Sequence, residues 1–305
     1  MTTLIFGGTG FIGSRIARKL VDRGEQVVCV DVVPDAPAVA KLRDKVTILR
    51  GDVTRLEDVL APMKAHQVDR VINLAYLLTS DSEQNAHLAV QVNAVGMSNV
   101  FEAARLLDLK RVVYASSIAV YGDQSAYGDR PIREDDLPSP RTLYGASKLL
   151  NDIEAANYSR AYSLSLVGIR ISSVYGHGRL RGRSAWGGTF ASFPAVGKPV
   201  EFPYPAEMRW SMIYVEDAAE LFVRALLAPK PAHAIYNSGG DNVSLGELAA
   251  AVRQEIPDAK HTFTDVQSQT YYMIDGTRAE SEFGWQRTPL AQAVKAHIAE
   301  ARAAG

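Results

Sequence analysis

Residues 3–20 read TLIFGGTGFIGSRIARKL. Four glycines (Gly7, Gly8, Gly10 and Gly13) fall within seven positions, between a short apolar run and a basic stretch that favours helix. Gly8, Gly10 and Gly13 satisfy a spaced-glycine fingerprint, and Gly7, Gly10 and Gly13 satisfy a variant with three-residue spacing. Each glycine has a physical reason to lack a side chain. The first permits a tight turn from strand to helix, the second lets backbone approach a pyrophosphate, and the third lets helix and strand pack closely. The N–H groups and positive dipole end of the following helix then face the phosphates. The turn residues Phe11 and Ile12 belong to the same expected dinucleotide cradle.

Asp31 strengthens this reading. It closes the next apolar run, 18 residues after Gly13. A carboxylate there accepts hydrogen bonds from the adenosine ribose hydroxyls and repels a 2′-phosphate, so NAD is expected over NADP.

The first half of the chain alternates short and long patterns. Thr3–Phe6, Gln26–Asp31, Val46–Arg50, Arg70–Leu74 and Arg111–Ala115 read as strands. Ile12–Arg23, Arg55–Ala65 and His87–Leu107 read as helices between them. A helix from about Tyr144 to Tyr162 and a strand at Ser163–Ile171 continue the alternation. Apolar strands joined by helical crossovers predict an α/β chain with a doubly wound parallel Rossmann sheet and a smaller C-terminal substrate-binding region. The expected division is a dinucleotide-binding domain over 1–172, to which the chain returns at about 213–242. The substrate region would then comprise 173–212 and 243–305, with helices near Ser244–Glu255 and Pro289–Ala303. Residues 176–210 are rich in Gly, Pro, Arg and aromatic residues and show little periodicity, which suggests a loop-rich insertion.

Composition narrows the partners. The net charge is −1, which gives no electrostatic footprint for nucleic acid or an anionic membrane. No apolar run reaches the roughly 20 residues of a membrane span, and the glycines interrupt any secretory leader. The lone Cys29 suits a reducing compartment, so a cytoplasmic protein is expected. The six histidines are scattered without metal-ligand spacing, and no metal is expected.

The chemistry is sought in YGASK, where Tyr144 and Lys148 stand one helical turn apart on one face. A phenol near pKa ~10 is a poor base at neutral pH. A neighbouring ammonium favours phenolate, so the pair is a candidate general acid/base. YASSIAVYG at 114–122 ends a predicted strand, and strand C-termini in such sheets line the ligand crevice. Ser116 and Ser117 are therefore expected beside cofactor and substrate, although either could simply cap the following turn.

Taken together, the chain resembles the extended short-chain dehydrogenase/reductases, the NAD-dependent epimerase/dehydratase group. The resemblance rests on GGTGFIG, Asp31, GDV at 51–53, NLAY at 73–76, VNAVGMSN at 92–99, YASSIAVYG, YGASK, GIRISSVYG at 168–176 and IYVEDAA at 213–219. It implies that Asp52 and Val53 lie by the adenine and that Leu74, Ala75 and Tyr76 line the cofactor cleft. It implies that Asn93 stands near the cofactor and supports the site, or else is a buried helix polar group. Ser117 matches the catalytic Ser/Thr and Tyr144 the acid/base. Lys148 matches the residue that also binds the nicotinamide ribose.

The chain departs from the nucleotide-sugar enzymes of that group at three places. Ser173 stands where an Asn contacts the nucleotide sugar. Trp210-Ser211-Met212 replaces Arg-Asp-aromatic, with Arg209 displaced by one. TDVQSQ at 264–269 lacks an expected arginine. Fewer arginines argue against a diphosphate. Arg179, Arg181 and Arg183 could compensate but read as a solvated loop, whereas Ser173 and Arg209 are the expected substrate contacts. Ile118-Ala119 after Ser117 cannot serve as the acid and base of 4,6-dehydration. The expectation is an NAD-dependent oxidoreductase working between a secondary alcohol and a ketone on a small molecule other than a nucleotide sugar. An epimerase that retains NAD and a non-catalytic NAD-binding regulator are the alternatives. A homodimer is expected through the apolar helices that carry Val100, Phe101, Ala104 and Leu107, and Leu149, Leu150, Ile153 and Ala156.

Overall fold

The computed structural model describes residues 1–268 and 273–304. Seven strands form a parallel sheet: β1 Thr2–Phe6, β2 Gln26–Asp31, β3 Thr47–Arg50, β4 Arg70–Asn73, β5 Arg111–Ser117, β6 Leu166–Ile171 and the later β10 Ile235–Asn237. Their spatial order is β10-β6-β5-β4-β1-β2-β3. The order reverses direction at β1, so the chain winds outward both ways and leaves a crevice above the carboxyl ends of β1 and β4. This is the doubly wound Rossmann sheet expected from the alternating pattern.

Helices cover both faces. They are α1 Gly13–Val21, α2 Leu56–Ala65, α3 Thr79–Gln84, α4 Ala86–Val90, α5 Gly96–Leu106, α6 Leu143–Tyr162, α7 Trp186–Ala195, α8 Val215–Leu227, α9 Leu245–Glu255, α10 Thr277–Phe283 and α11 Leu290–Ala304. Because side chains alternate along a strand, each strand feeds two cores. Leu4, Phe6, Val28, Val71 and Tyr114 pack with Val100 and Phe101 of α5 on one face. Ile5, Cys29, Ile72, Val113 and Ile169 pack with Ile16 of α1 and Phe222 of α8 on the other. Two small sheets complete the fold. One orders β11 Asp241–Ser244, β9 Arg209–Tyr214 and β7 Ser173–Tyr175, and the other pairs β8 Val200–Phe202 with β12 His261–Phe263.

Two expectations are revised by this packing. His87–Leu107 is not one regular α-helix, because a π-helical turn at Gln91–Val95 separates α4 from α5. Phe101, Val100 and Ala104 do not face outward either. They are buried, and Phe101 packs edge-on against Tyr114 of the chain's own sheet at 5.4 Å between ring centroids. The large apolar residues left exposed on this pair of helices are Leu106, Leu150, Ile153 and Tyr162, with Ala156 exposed beside them. Gln269, the last residue of TDVQSQ, lies outside the described residues.

Candidate active site

The glycine turn connects β1 to α1 as its sequence requires. A Cβ on Gly13 would stand 2.1 Å from the Gly7 carbonyl oxygen, so only glycine lets the helix start this close to the turn. The first N–H groups of a helix have no intrahelical acceptor, and at this site they border the crevice where an anion is favoured. The backbone cradle fits a dinucleotide pyrophosphate. Ile12 lines the main cleft, and the Arg15 guanidinium lies over the Phe11 ring, 4.8 Å from its centroid.

Asp31 ends β2 and accepts a 3.1 Å hydrogen bond from the Val33 N–H on Oδ1. Beyond it is a second depression, lined by Val32, Arg50, Gly51, Asp52, Arg55 and Asp58. Asp52 thus lines a depression next to Asp31. The Val53 side chain is buried in the core, and its carbonyl accepts from Asn99 Nδ2 at 2.8 Å. Leu74 and Tyr76 line the main cleft. Ala75 stands between them, its N–H donating to Asn73 Oδ1 at 3.0 Å.

Asn93 takes the buried position that was one of its two expected readings. It is fully buried and lies outside the cleft lining. Its Oδ1 accepts from the Leu77 N–H at 2.9 Å, and its Nδ2 donates to the Leu77 carbonyl at 3.0 Å. Its own carbonyl accepts from Asn151 of α6 at 3.0 Å. Asn93 thus ties the strap after β4 to the helix that carries the candidate acid/base, and acts by positioning.

The main cleft brings together Ser117, Tyr144, Lys148 and Ser173. Ser117 is the last residue of β5, and its Oγ accepts the Ala119 N–H at 3.1 Å, so one hydroxyl both caps the turn and faces the cleft. Ser116 points to the opposite face and is fully buried, so the expectation that both serines flank the ligand holds geometrically for Ser117 alone. Thr142 caps α6 by accepting the Gly145 N–H at 3.0 Å, which sets the phase that turns Tyr144 and Lys148 toward the cleft.

Lys148 is almost fully buried. Its Nζ donates to the Ala115 carbonyl and lies 2.8 Å from the centroid of the Tyr76 ring. Burial pushes its ammonium well below the ordinary lysine range, while Asp152, one turn further along α6, pulls it back up. Asp152 is itself buried, its Oδ2 3.0 Å from Arg170 Nε and its Oδ1 accepting from the Tyr114 hydroxyl at 3.2 Å. Sequence reasoning missed this pair. Its signal was an acid four residues after the lysine and an arginine inside GIRISSVYG.

The arginine-rich loop is the second revision. Arg179 and Arg183 are half-buried and line the cleft with Tyr144, and Trp210 forms a wall beside them. Arg181 is exposed. Arg209, by contrast, is outside the cleft lining. Its Nε donates to Asn242 Oδ1 at 2.8 Å and its Nη2 is 3.2 Å from Glu247, so the expected substrate contact is occupied within the protein. Among the described residues no group of three or more His, Cys, Asp or Glu is arranged to hold a metal ion. Among the described residues, too, no helix is long and apolar enough to cross a membrane.

Comparison with known proteins agrees with this geometry. Residues 3–239 match the model of the NAD dependent epimerase/dehydratase family. A UDP-glucose 4-epimerase of Mycolicibacterium smegmatis is 28% identical, with 94% of this chain and 93% of the relative covered. The structure of the Thermus thermophilus UDP-glucose 4-epimerase in complex with NAD superposes with a TM-score of 0.88, at 26% identity and full coverage of both chains. An L-threonine dehydrogenase from Cupriavidus necator shares the fold with a TM-score of 0.88 at 23% identity, covering 98% of this chain and 99% of that one.

Proposed function

Because the chain belongs to the NAD-dependent epimerase/dehydratase family and its cofactor is NAD, we propose that it is a dehydrogenase acting on a small secondary alcohol or the matching ketone. The observation that carries this reading is the convergence of Ser117, Tyr144 and Lys148 on one cleft that also contains Ile12 and Leu74 of the dinucleotide crevice.

When bound, NAD would supply the two-electron acceptor for the hydride of a carbinol carbon. This chain's residues manage the proton and the geometry. Tyr144 takes the hydroxyl proton in oxidation and returns it in reduction. Ser117 Oγ donates to the substrate oxygen and holds it against Tyr144. Lys148, on the face of α6 shared with Tyr144, favours the phenolate and would meet the nicotinamide ribose.

A compact substrate is supported by what occupies the nucleotide-sugar positions. Ser211 and Met212 are fully buried, and the Ser211 hydroxyl is 2.9 Å from that of Ser172. Arg209 is turned outward to Asn242 and Glu247. The cleft holds about 150 Å³, below the ~300–1,000 Å³ typical of sites enclosing a drug-sized ligand. We also infer a homodimer through the exposed face of α5 and α6, because Leu150 and Ile153 are 49% and 53% exposed there. Cytoplasmic residence suits the buried Cys29 thiol, which burial pushes up to about 12 and makes unreactive.

The test is a panel of alcohols and ketones followed by NADH absorbance, with product analysis for epimers. Tyr144→Phe should lose about 10²–10⁴-fold in turnover and keep NAD affinity. Near-wild-type rates in that variant would remove Tyr144 as the acid/base. The second reading, an epimerase that retains NAD, is favoured by the epimerase relatives and would convert its substrate with no net NADH.

A further inference from the structure

We propose that the substrate is a small hydroxy acid whose carboxylate is bound by Arg179, with Arg183 alongside. This rests on the dehydrogenase reading and names its substrate class. The cleft lining includes Lys148, Arg179 and Arg183 and, among the described residues, no Asp or Glu. A cleft lined by cations alone with partly apolar walls favours an anion.

Arg179 is held as a ligand-binding group would be. Its Nε donates to the Ser184 carbonyl at 2.9 Å and its Nη2 to Ser184 Oγ at 2.8 Å. That uses one edge of the guanidinium and leaves the Nη1 end, a fork suited to a carboxylate. Among the described residues no carboxylate lies within ion-pair distance of Arg179, whereas Arg15, Arg18, Arg23 and Arg70 all have one.

The backbone is shaped for this placement. A Cβ on Gly188 would stand 2.1 Å from the Arg179 carbonyl oxygen, so α7 can approach the loop only through a glycine. Burial lowers the Arg179 guanidinium to about 10, and the nearby Tyr144 works in the opposite direction. The guanidinium therefore stays charged at neutral pH, desolvated and beside the candidate acid/base. Arg183 lies over the Trp210 ring, 5.5 Å from its centroid, and its Nη2 donates to Ser268 Oγ. The pyrophosphate cradle is at the start of α1, whereas Arg179 shares its wall with Tyr144. The anion it serves is thus at the reacting end.

The test uses the whole protein with NAD bound. Oxalate, its neutral isostere oxamide and inorganic phosphate are titrated by calorimetry. Oxalate should bind at least ~10²-fold more tightly than oxamide, the scale set by an unpaired buried charge. Arg179→Gln should abolish that preference while NAD affinity and the melting profile stay unchanged. If Arg179→Gln fails to fold, Ser184→Ala, which removes one of the two bonds that orient the guanidinium, should weaken oxalate about tenfold, the cost of a charge-assisted hydrogen bond, and leave oxamide unchanged. Equal binding of oxalate and oxamide, preference for phosphate over oxalate, or oxalate affinity indifferent to both variants would overturn the proposal. The two readings separate in the turnover arm. Neutral alcohols that reduce NAD while hydroxy acids do not would sink the hydroxy acid and spare the dehydrogenase. Oxalate binding with no NADH from any alcohol or acid would do the reverse.

Discussion

Replacing Arg170 with Met tests whether the buried pair behind the site holds the molecule together. Arg170 and Asp152 have side chains only 6% and 5% exposed, with 3.0 Å between Nε and Oδ2. Arg170 Nη1 also donates to the Tyr121 hydroxyl at 2.8 Å and to the Glu134 carbonyl at 3.1 Å. The Tyr121 hydroxyl in turn donates to Asn237 Oδ1 at 2.8 Å. The change removes the guanidinium and leaves Asp152 with the Tyr114 hydroxyl as its remaining partner of the two. Breaking a buried pair from one side costs about 3–5 kcal/mol, and the freed Glu134 and Tyr121 groups put the expectation at the upper end of that range.

The cost depends on pH in a stated direction. The guanidinium holds the Asp152 carboxyl down against burial, which pushes it up. Burial already leaves this carboxyl above its ordinary value, and without the guanidinium the folded-state pKa rises further. A raised carboxyl loses stability as pH climbs from the unfolded pKa toward the folded one. The decrement should then be larger at pH 8 than at pH 5. Urea unfolding of both proteins at the two pH values, without NAD so that ligand linkage does not contribute, gives the numbers. A decrement under about 1 kcal/mol at pH 8, or one equal at both pH values, would refute the reasoning.

Asp31→Ala should narrow the preference for NAD over NADP, as read from the ratio of kcat/KM for the two cofactors. An unchanged ratio would move specificity to Arg50 and Arg55 in the neighbouring depression. Ile153→Asp, at a position 53% exposed on α6, should convert a dimer to a monomer of 33.2 kDa in sedimentation equilibrium without lowering the melting temperature. A wild-type monomer at micromolar protein would end the dimer reading.

The sheet and its crevice were legible because both depend on local pattern. Period-two burial and helical crossovers identify parallel strands, and the glycines at 7–13 mark where backbone must come close. Tyr144 and Lys148 were legible because four-residue spacing on a helix fixes a shared face. What failed depends on long-range packing. Whether Phe101 faces the sheet or a partner is a matter of helix rotation, which the edge-on contact with Tyr114 decides. Val53 and Asp52 are adjacent in sequence, yet one is core and the other lines a depression. Arg179 read as a solvated loop cation and Arg209 as a substrate contact. Only the fold of 176–188 turns the first inward, and only Asn242 and Glu247 turn the second out.

These placements divide the electrostatic work within the cleft. Lys148 is the group expected to favour the Tyr144 phenolate, but its desolvation weakens its own charge, and Asp152 partly restores it. Asp152 can do so only while ionised, and the Arg170 guanidinium and Tyr114 hydroxyl both pull it toward that form. The charge available to Tyr144 from the α6 side therefore runs back through Asp152 to β6. From the loop side it comes directly from Arg179, whose guanidinium keeps its proton even when buried. Arg170→Met thus bears on catalysis as well as stability. With Asp152 neutral below its raised pKa, Lys148 loses its stabilising partner at low pH, and the acidic limb of alcohol oxidation should move to higher pH. Arg179→Lys, which keeps a cation on the loop side, should leave that limb close to its wild-type position.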